Sequence, residues 1–216
     1  MQRLAILVCA LCVFARVHAA AQLPLIKGSS WIYIARVSWT TPGTPRVMHA
    51  VIHWNMQVLD ALDSPHGRIA IVSGLPYQLG SYEPGMRPGL DVVVETANGM
   101  WSASAGSPSE ARTLMKRLST GEMTAGDQQY LENPIRTADC FGADDPARTD
   151  GFYCWKVLRK IRDRFGTGWE MTYRTLADRV TISYVPGIGI TRYGYEHNGT
   201  VAMTSARLDA YHAAAK

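Results

Sequence analysis

The chain has 216 residues, with 22 Lys and Arg against 18 Asp and Glu. A net charge of +4 excludes the strongly basic balance of a nucleic-acid-binding protein. Only 19% of residues are charged, while Gly, Thr, Ser, Tyr and Trp are plentiful, a mixture that suits strands and turns better than helices.

Residues 1–21 read as a secretory signal peptide. Arg3 gives a positive start, residues 4–14 form an apolar run too short to span a bilayer, and Ala19, Ala20 and Ala21 supply small residues for cleavage after Ala19 or Ala21. Cys9 and Cys12 lie inside this segment, and the residues before each fit a lipid-attachment site poorly. No later apolar run is long enough to cross a membrane. Residues 22–216 are expected to form a single β-rich domain, periplasmic or secreted. Removal of Arg3 and Arg16 leaves 20 basic against 18 acidic residues. Cys140 and Cys154 remain as an even pair, which an oxidising compartment favours as a disulfide.

Residues 31–39 read as the first strand, ended by Pro42 and Pro45. Residues 47–59 alternate cleanly: Met48, Ala50, Ile52, Trp54, Met56 and Val58 share one face. The turn signal at residues 63–67 leads to a partner strand over 68–75. A Pro-, Gly- and Tyr-rich loop covers 76–89. Residues 91–96 and 100–105 read as strands joined by Asn98-Gly99, a two-residue hairpin signal. Ser107 or Ser109 can cap a helix through 118, with Pro108 in its first turn and Gly121 ending it. Residues 124–131 are expected to add a further helical turn or two. After the cysteine loop, residues 153–161 read as a strand, with Gly166-Thr167-Gly168 as the turn. Strands over 169–176, 179–185, 188–197 and 201–211 follow, and their short connections force antiparallel neighbours.

Pro186-Gly187-Ile188-Gly189-Ile190, followed by Arg192-Tyr193, Tyr195, His197 and Gly199-Thr200, resembles a recurring ending of uncharacterised secreted bacterial proteins. The preceding run 173–178 and the aromatic pair Tyr153 and Trp155 belong to the same resemblance, which covers residues 151–208. Its implied architecture is similar to LolA-like half-barrel envelope proteins. The expected fold is therefore mainly β: a single curved antiparallel sheet, or half-barrel, with one or two short helices packed in its concave side. Asn198 stands where a second histidine is expected, which removes a two-histidine metal role, and the resemblance brings no catalytic residues.

His49 and His53 share a strand face about 13 Å apart at the strand rise of roughly 3.3 Å per residue, too far for one metal ion. Gly187-Ile188-Gly189 lacks the third glycine and the helix of a dinucleotide fingerprint and reads as a strand bend. Asp139, Asp144, Asp145 and Asp150 lack calcium-loop spacing and read as a solvated loop. His197 precedes a tight turn and could serve as a general base, but no Ser or Cys motif accompanies it, so turn bonding is the expected role. Trp54, Met56, Trp155, Tyr173 and Tyr184 are the candidates to line an apolar ligand site.

These features point to an exported, non-enzymatic binding or envelope-assembly module for an apolar or lipid-like ligand or an envelope protein. No catalytic residue, metal, cofactor or nucleic-acid partner is assigned. The alternatives are a secreted hydrolase using His197 and a structural protein-docking module. An apolar cavity would favour the first, a polar cleft with a nucleophile at His197 the second, and a closed core the third.

Overall fold

The computed structural model describes residues 23–40, 43, 46–122, 128–137, 140–142, 150–199 and 202–214. Both expected cleavage sites lie outside them, as do Asp139, Asp144 and Asp145. The strands of the first half are β1 (Ser30–Thr40), β2 (Val47–Ser64), β3 (Gly67–Ser73), β4 (Leu90–Thr96), β5 (Gly99–Ala105) and β6 (Gln128–Glu132). A 3₁₀ helix (Pro76–Ser81) follows β3, and α1 (Pro108–Ser119) follows β5. The second half holds β7 (Cys140–Phe141), β8 (Trp155–Asp163), β9 (Gly166–Arg174), β10 (Asp178–Val185), β11 (Gly189–His197) and β12 (Met203–His212).

All twelve strands form one antiparallel sheet in the order β6-β5-β4-β3-β2-β1-β12-β11-β10-β9-β8-β7. The expected curved antiparallel sheet is present, and it curls further than a half-barrel. Edge strands β6 and β7 come into contact, so the barrel is nearly closed. Pairing of β1 with β12 joins the two halves, with Tyr33 opposite Leu208 and Ala35 opposite Ala206.

Period-two alternation sets the interior. Trp31, Tyr33, Ala35 and Val37 of β1 point inward beside Trp54, Met56 and Val58 of β2. A bulge between Val58 and Asp60 shifts the phase of β2. Beyond it Ala61 faces the interior and Leu62 the opposite side, as an extra residue in one strand requires.

β3 and β4 are apolar on both faces. Ala70, Val72 and Val93 belong to the interior, while Ile69, Ile71, Val92 and Val94 form a second cluster with Ala111, Met115 and Leu118 of α1. α1 therefore lies on the outer face, not in the concave side expected for the short helices, because β3 and β4 present a second apolar face on the outside. Its start follows the sequence signals: Ser107 Oγ accepts the Glu110 N–H, and Pro108 occupies the first turn. The helix on the inner side is the 3₁₀ turn, within the stretch read from sequence as loop. Leu79 is fully buried there, and its carbonyl accepts the Thr204 hydroxyl at 2.9 Å.

Three local expectations are corrected. Residues 128–132 are strand β6, not a continued helix, because β5 offers an open edge and Leu131 is buried opposite Met100; residues 124–127 of that expectation lie outside the described ones. The β8–β9 turn is Arg164-Phe165, and Gly166 and Gly168 belong to β9. Gly168 sits where a Cβ would overlap the Tyr184 carbonyl of the neighbouring strand. Tyr153 stands before β8 with φ 53°, so it does not share the Trp155 face. The Cys140–Cys154 disulfide is formed, with Cα atoms 5.7 Å apart, and ties β7 to the start of β8. Among the described residues no helix is long and apolar enough to cross a membrane.

Candidate functional site

Of the five aromatic and methionine candidates, Trp54, Met56, Trp155 and Tyr184 are each at most 3% exposed, inside one continuous core. Tyr173 is partly buried against it. The polar atoms of Trp54 and Tyr184 are directed at neighbouring protein groups, whereas Trp155 Nε1 is buried without a hydrogen-bond partner among the described residues. Trp54 Nε1 donates to the Gly74 carbonyl at 2.8 Å, and the Tyr184 hydroxyl lies 3.7 Å from Met100 Sδ. Trp155 meets Tyr173 at 5.5 Å between ring centroids and Tyr77 of the 3₁₀ helix at 5.9 Å. Tyr77 in turn packs edge-on to Tyr193 at 5.8 Å. A ligand among these residues would have to separate rings already in contact.

His197 has a more specific environment. The β10–β11 hairpin sets Asp178 directly opposite His197. The turn before β10 fixes Asp178: Thr175 Oγ1 accepts its N–H at 2.8 Å, and Thr175 N–H donates to its carbonyl. Asp178 Oδ1 accepts the Tyr195 hydroxyl at 2.7 Å and lies 2.7 Å from His197 Nδ1, while Oδ2 accepts the Thr175 hydroxyl at 3.3 Å. His197 and Asp178 side chains are 31% and 35% exposed.

The hydrogen bond from His197 holds the Asp178 carboxyl below the usual carboxylate range, reinforced by those from Tyr195 and Thr175 and by the His197 charge. The Tyr195 hydroxyl is pushed up to about 12, first by burial and then by its bond to, and the charge of, Asp178. The arrangement reproduces the carboxylate–imidazole half of a nucleophilic triad, in which the acid orients the ring. The other half is missing: among the described residues no Ser, Thr or Cys side chain is hydrogen-bonded to His197. Glu196 points to the other face, 4.0 Å from Arg179.

Asp178 and Tyr195 did not emerge from the sequence as partners of His197. Their signal was hairpin register: counting outward from Pro186-Gly187, across one bulge, sets residue 178 beside 197. The second unanticipated polar centre is Asp91, 5% exposed. Its oxygens accept the Ser104 hydroxyl at 2.8 Å and Gln78 Nε2 at 2.7 Å. Burial pushes its carboxyl up against the opposing effect of these two bonds. Gln78 Oε1 also accepts Gly89 N–H, so the group pins the 76–89 segment to β4 and β5.

No group of three or more His, Cys, Asp or Glu side chains suited to a metal ion occurs among the described residues. His49 Nδ1 lies 2.8 Å from Ser38 Oγ.

No family model matches the chain, and no curated protein matches it. Two crystal structures are similar in shape. One, from Bacteroides fragilis, is described as an exported protein with a YmcC-like fold; it aligns with 13% identity and a TM-score of 0.47 over 89% of this chain and 99% of its own. The other, from Parabacteroides distasonis, is described as a lipoprotein; it aligns with 13% identity and a TM-score of 0.46 over the same shares.

Proposed function

We propose that the protein is an exported, non-enzymatic binding module that engages its ligand or partner from the surface of a filled barrel. The observation that carries this reading is the packing of the interior. Trp31, Tyr33, Met56, Leu79, Met100, Leu131, Trp155, Met171 and Tyr184 are all at most 2% exposed, and the 3₁₀ helix closes over them through Tyr77 and Leu79. Such density leaves little room for an acyl chain, since protein interiors pack like organic crystals. Export is supported by the signal-like first 21 residues and by the disulfide. The incomplete triad at His197 supports binding over hydrolysis.

The test is native mass spectrometry and lipid extraction of the mature protein purified from an oxidising compartment. The expected result is a bare chain mass, with a hydrophobic fluorescent probe remaining dark until the protein unfolds. A stoichiometric apolar molecule released by extraction overturns the filled-barrel reading in favour of carriage. Turnover of ester substrates abolished by His197→Ala overturns the non-enzymatic part.

A further inference from the structure

We propose that the outer face of β1, β12 and β11 binds a phosphate monoester through Arg36, Arg192 and Arg207. The strand register places the three arginines together. Arg192 is directly opposite Arg207 across β11 and β12. Arg36 is opposite Ser205 across β1 and β12, one diagonal step from Arg207. Directly opposed side chains have Cβ atoms roughly 5 Å apart, and like charges there repel.

Three neighbouring arginines have acidic partners, while Arg162 beside them has none among the described residues. Arg159 pairs with Glu170, Arg164 with Asp209, and Arg179 with Glu196. Among the described residues, Arg36, Arg192 and Arg207 have no acidic side chain within ion-pair distance. The acids that line the two concavities of this face are otherwise engaged: Glu170 by Arg159, Asp163 by the Thr191 hydroxyl at 2.7 Å and the Phe165 N–H, and Glu196 by Arg179 at 4.0 Å. An uncompensated cross-strand pair is what an anion would stabilise.

The surface is also shaped to receive one. A concavity of about 660 Å³ is lined by Arg162, Arg164, Arg192 and Arg207 over a floor that includes Gly194 and Ser205. A second concavity of about 380 Å³ extends the same floor to Arg36. Gly194 is the independent observation. Its φ is not in the left-handed region, and a Cβ there would come no closer than 3.8 Å to any neighbour. Neither backbone conformation nor packing calls for glycine in the middle of β11, where it weakens a strand. Its effect is to leave the floor between the arginines bare.

The chemistry selects the ligand class. Planar guanidinium forks make paired hydrogen bonds to the oxygens of phosphate, and a monoester dianion presents three such oxygens to two or three forks. The larger concavity falls in the size range of small-molecule sites and leaves space for a sugar-sized remainder. Free phosphate esters and phosphate-bearing lipid headgroups share this chemistry.

This inference rests on the surface-binding reading and names its ligand class, and the two fail separately, since a co-purified apolar molecule says nothing about the arginines. The experiment is calorimetric titration of the mature, disulfide-intact protein with inorganic phosphate and with a hexose phosphate, alongside thermal unfolding at constant ionic strength. Both ligands should bind and raise the unfolding temperature, with affinity at least tenfold weaker in Arg192→Gln/Arg207→Gln. Without phosphate that variant should unfold no earlier than wild type, because a repulsion has been removed, so lost binding cannot be mistaken for lost fold. Sedimentation with phosphatidic acid vesicles, but not with phosphatidylcholine vesicles, assigns a lipid-borne ester; binding of hexose phosphate without sedimentation assigns a free one. No binding by wild type, unchanged affinity in the variant, or an equal thermal shift with chloride overturns the proposal.

Discussion

Asp178 and His197 face each other across the β10–β11 hairpin with 2.7 Å between Oδ1 and Nδ1, and the same carboxylate oxygen takes the Tyr195 hydroxyl. One acid thus serves both neighbours at the end of the hairpin. Its folded pKa is depressed, chiefly by the His197 bond. The resulting stability is present above the ordinary carboxylate pKa and is lost as pH falls through the depressed value. Asp178→Asn should cost about 1 kcal/mol at neutral pH, a charged hydrogen bond discounted for its partial exposure. The difference from wild type should shrink once pH drops below about 4. Urea unfolding across that range measures it, and a difference that does not change with pH would remove the linkage.

Tyr195 reports the same contact from the other side. Its hydroxyl is raised to about 12, with Asp178 supplying two of the three causes and burial the first. The neutral phenol's contribution to stability is complete below about pH 10 and is lost as pH rises toward the folded value. In Asp178→Asn the phenol should ionise at lower pH, still above an ordinary tyrosine because burial remains. An ultraviolet titration, with Tyr195→Phe to identify the band, reads this directly.

The barrel was legible where side chains alternate. Trp54, Met56 and Val58 were placed on one face by period alone, and the run from residue 169 to the end gave four antiparallel strands in the right order. Closure was not legible, because β1–β12 pairing joins segments more than 160 residues apart and no local pattern encodes it. The side chosen by α1 was written in the sequence as consecutive apolar residues, Ile69 to Val72 and Val92 to Val94, which bury both faces of a strand. β6 was missed because Leu131 fits a helix period as well as a strand, and only the open edge of β5 decides between them. At the candidate site, His197 stood out by type, whereas Asp178 needed the hairpin register and Arg192–Arg207 needed the register of the next pair.

The disulfide constrains the unfolded chain more than it fills the core. It closes 14 positions of sequence, and a loop of that size contributes roughly 3 kcal/mol by loop-closure entropy. Cys140→Ser/Cys154→Ser should lower stability by about that amount in equilibrium unfolding, while strand content by circular dichroism stays as in wild type. A loss of strand signal would show that β7 and β8 depend on the bridge to form.

Gln78 is the support of a buried acid. Its amide donates to Asp91 Oδ2 at 2.7 Å, and Asp91 is 5% exposed with its carboxyl already pushed up by burial. Gln78→Leu leaves that oxygen without this donor and should cost about 2 kcal/mol at neutral pH. A raised folded pKa means stability is greatest below the ordinary carboxylate value and falls as pH rises through the folded one. Removing Gln78 raises that value further, so the variant's deficit should be larger at pH 7.5 than at pH 4. Urea midpoints at the two pH values test the sign, and a deficit larger in acid would contradict it.

Gly168 and Gly194 are both glycines inside strands, and the structure separates them. At Gly168 an added Cβ would overlap the Tyr184 carbonyl, and its next neighbour is also backbone, so the clash cannot be relieved by turning a side chain. Gly168→Ala should therefore destabilise by about 3 kcal/mol as β9 and β10 are pushed apart. At Gly194 the nearest atoms, Thr181 O and Cβ and Thr204 O, would stand 3.8 to 4.0 Å from the new methyl group, ordinary van der Waals contact. Gly194→Ala should stabilise by about 0.5–1 kcal/mol, because the unfolded chain loses freedom and the strand loses nothing. Thermal unfolding of the two variants beside wild type gives opposite signs if the floor at Gly194 and Ser205, next to the Arg192–Arg207 pair, is kept bare for reasons other than folding. Destabilisation at Gly194 would instead assign that glycine to the curvature of β11 and take it away from the arginine site.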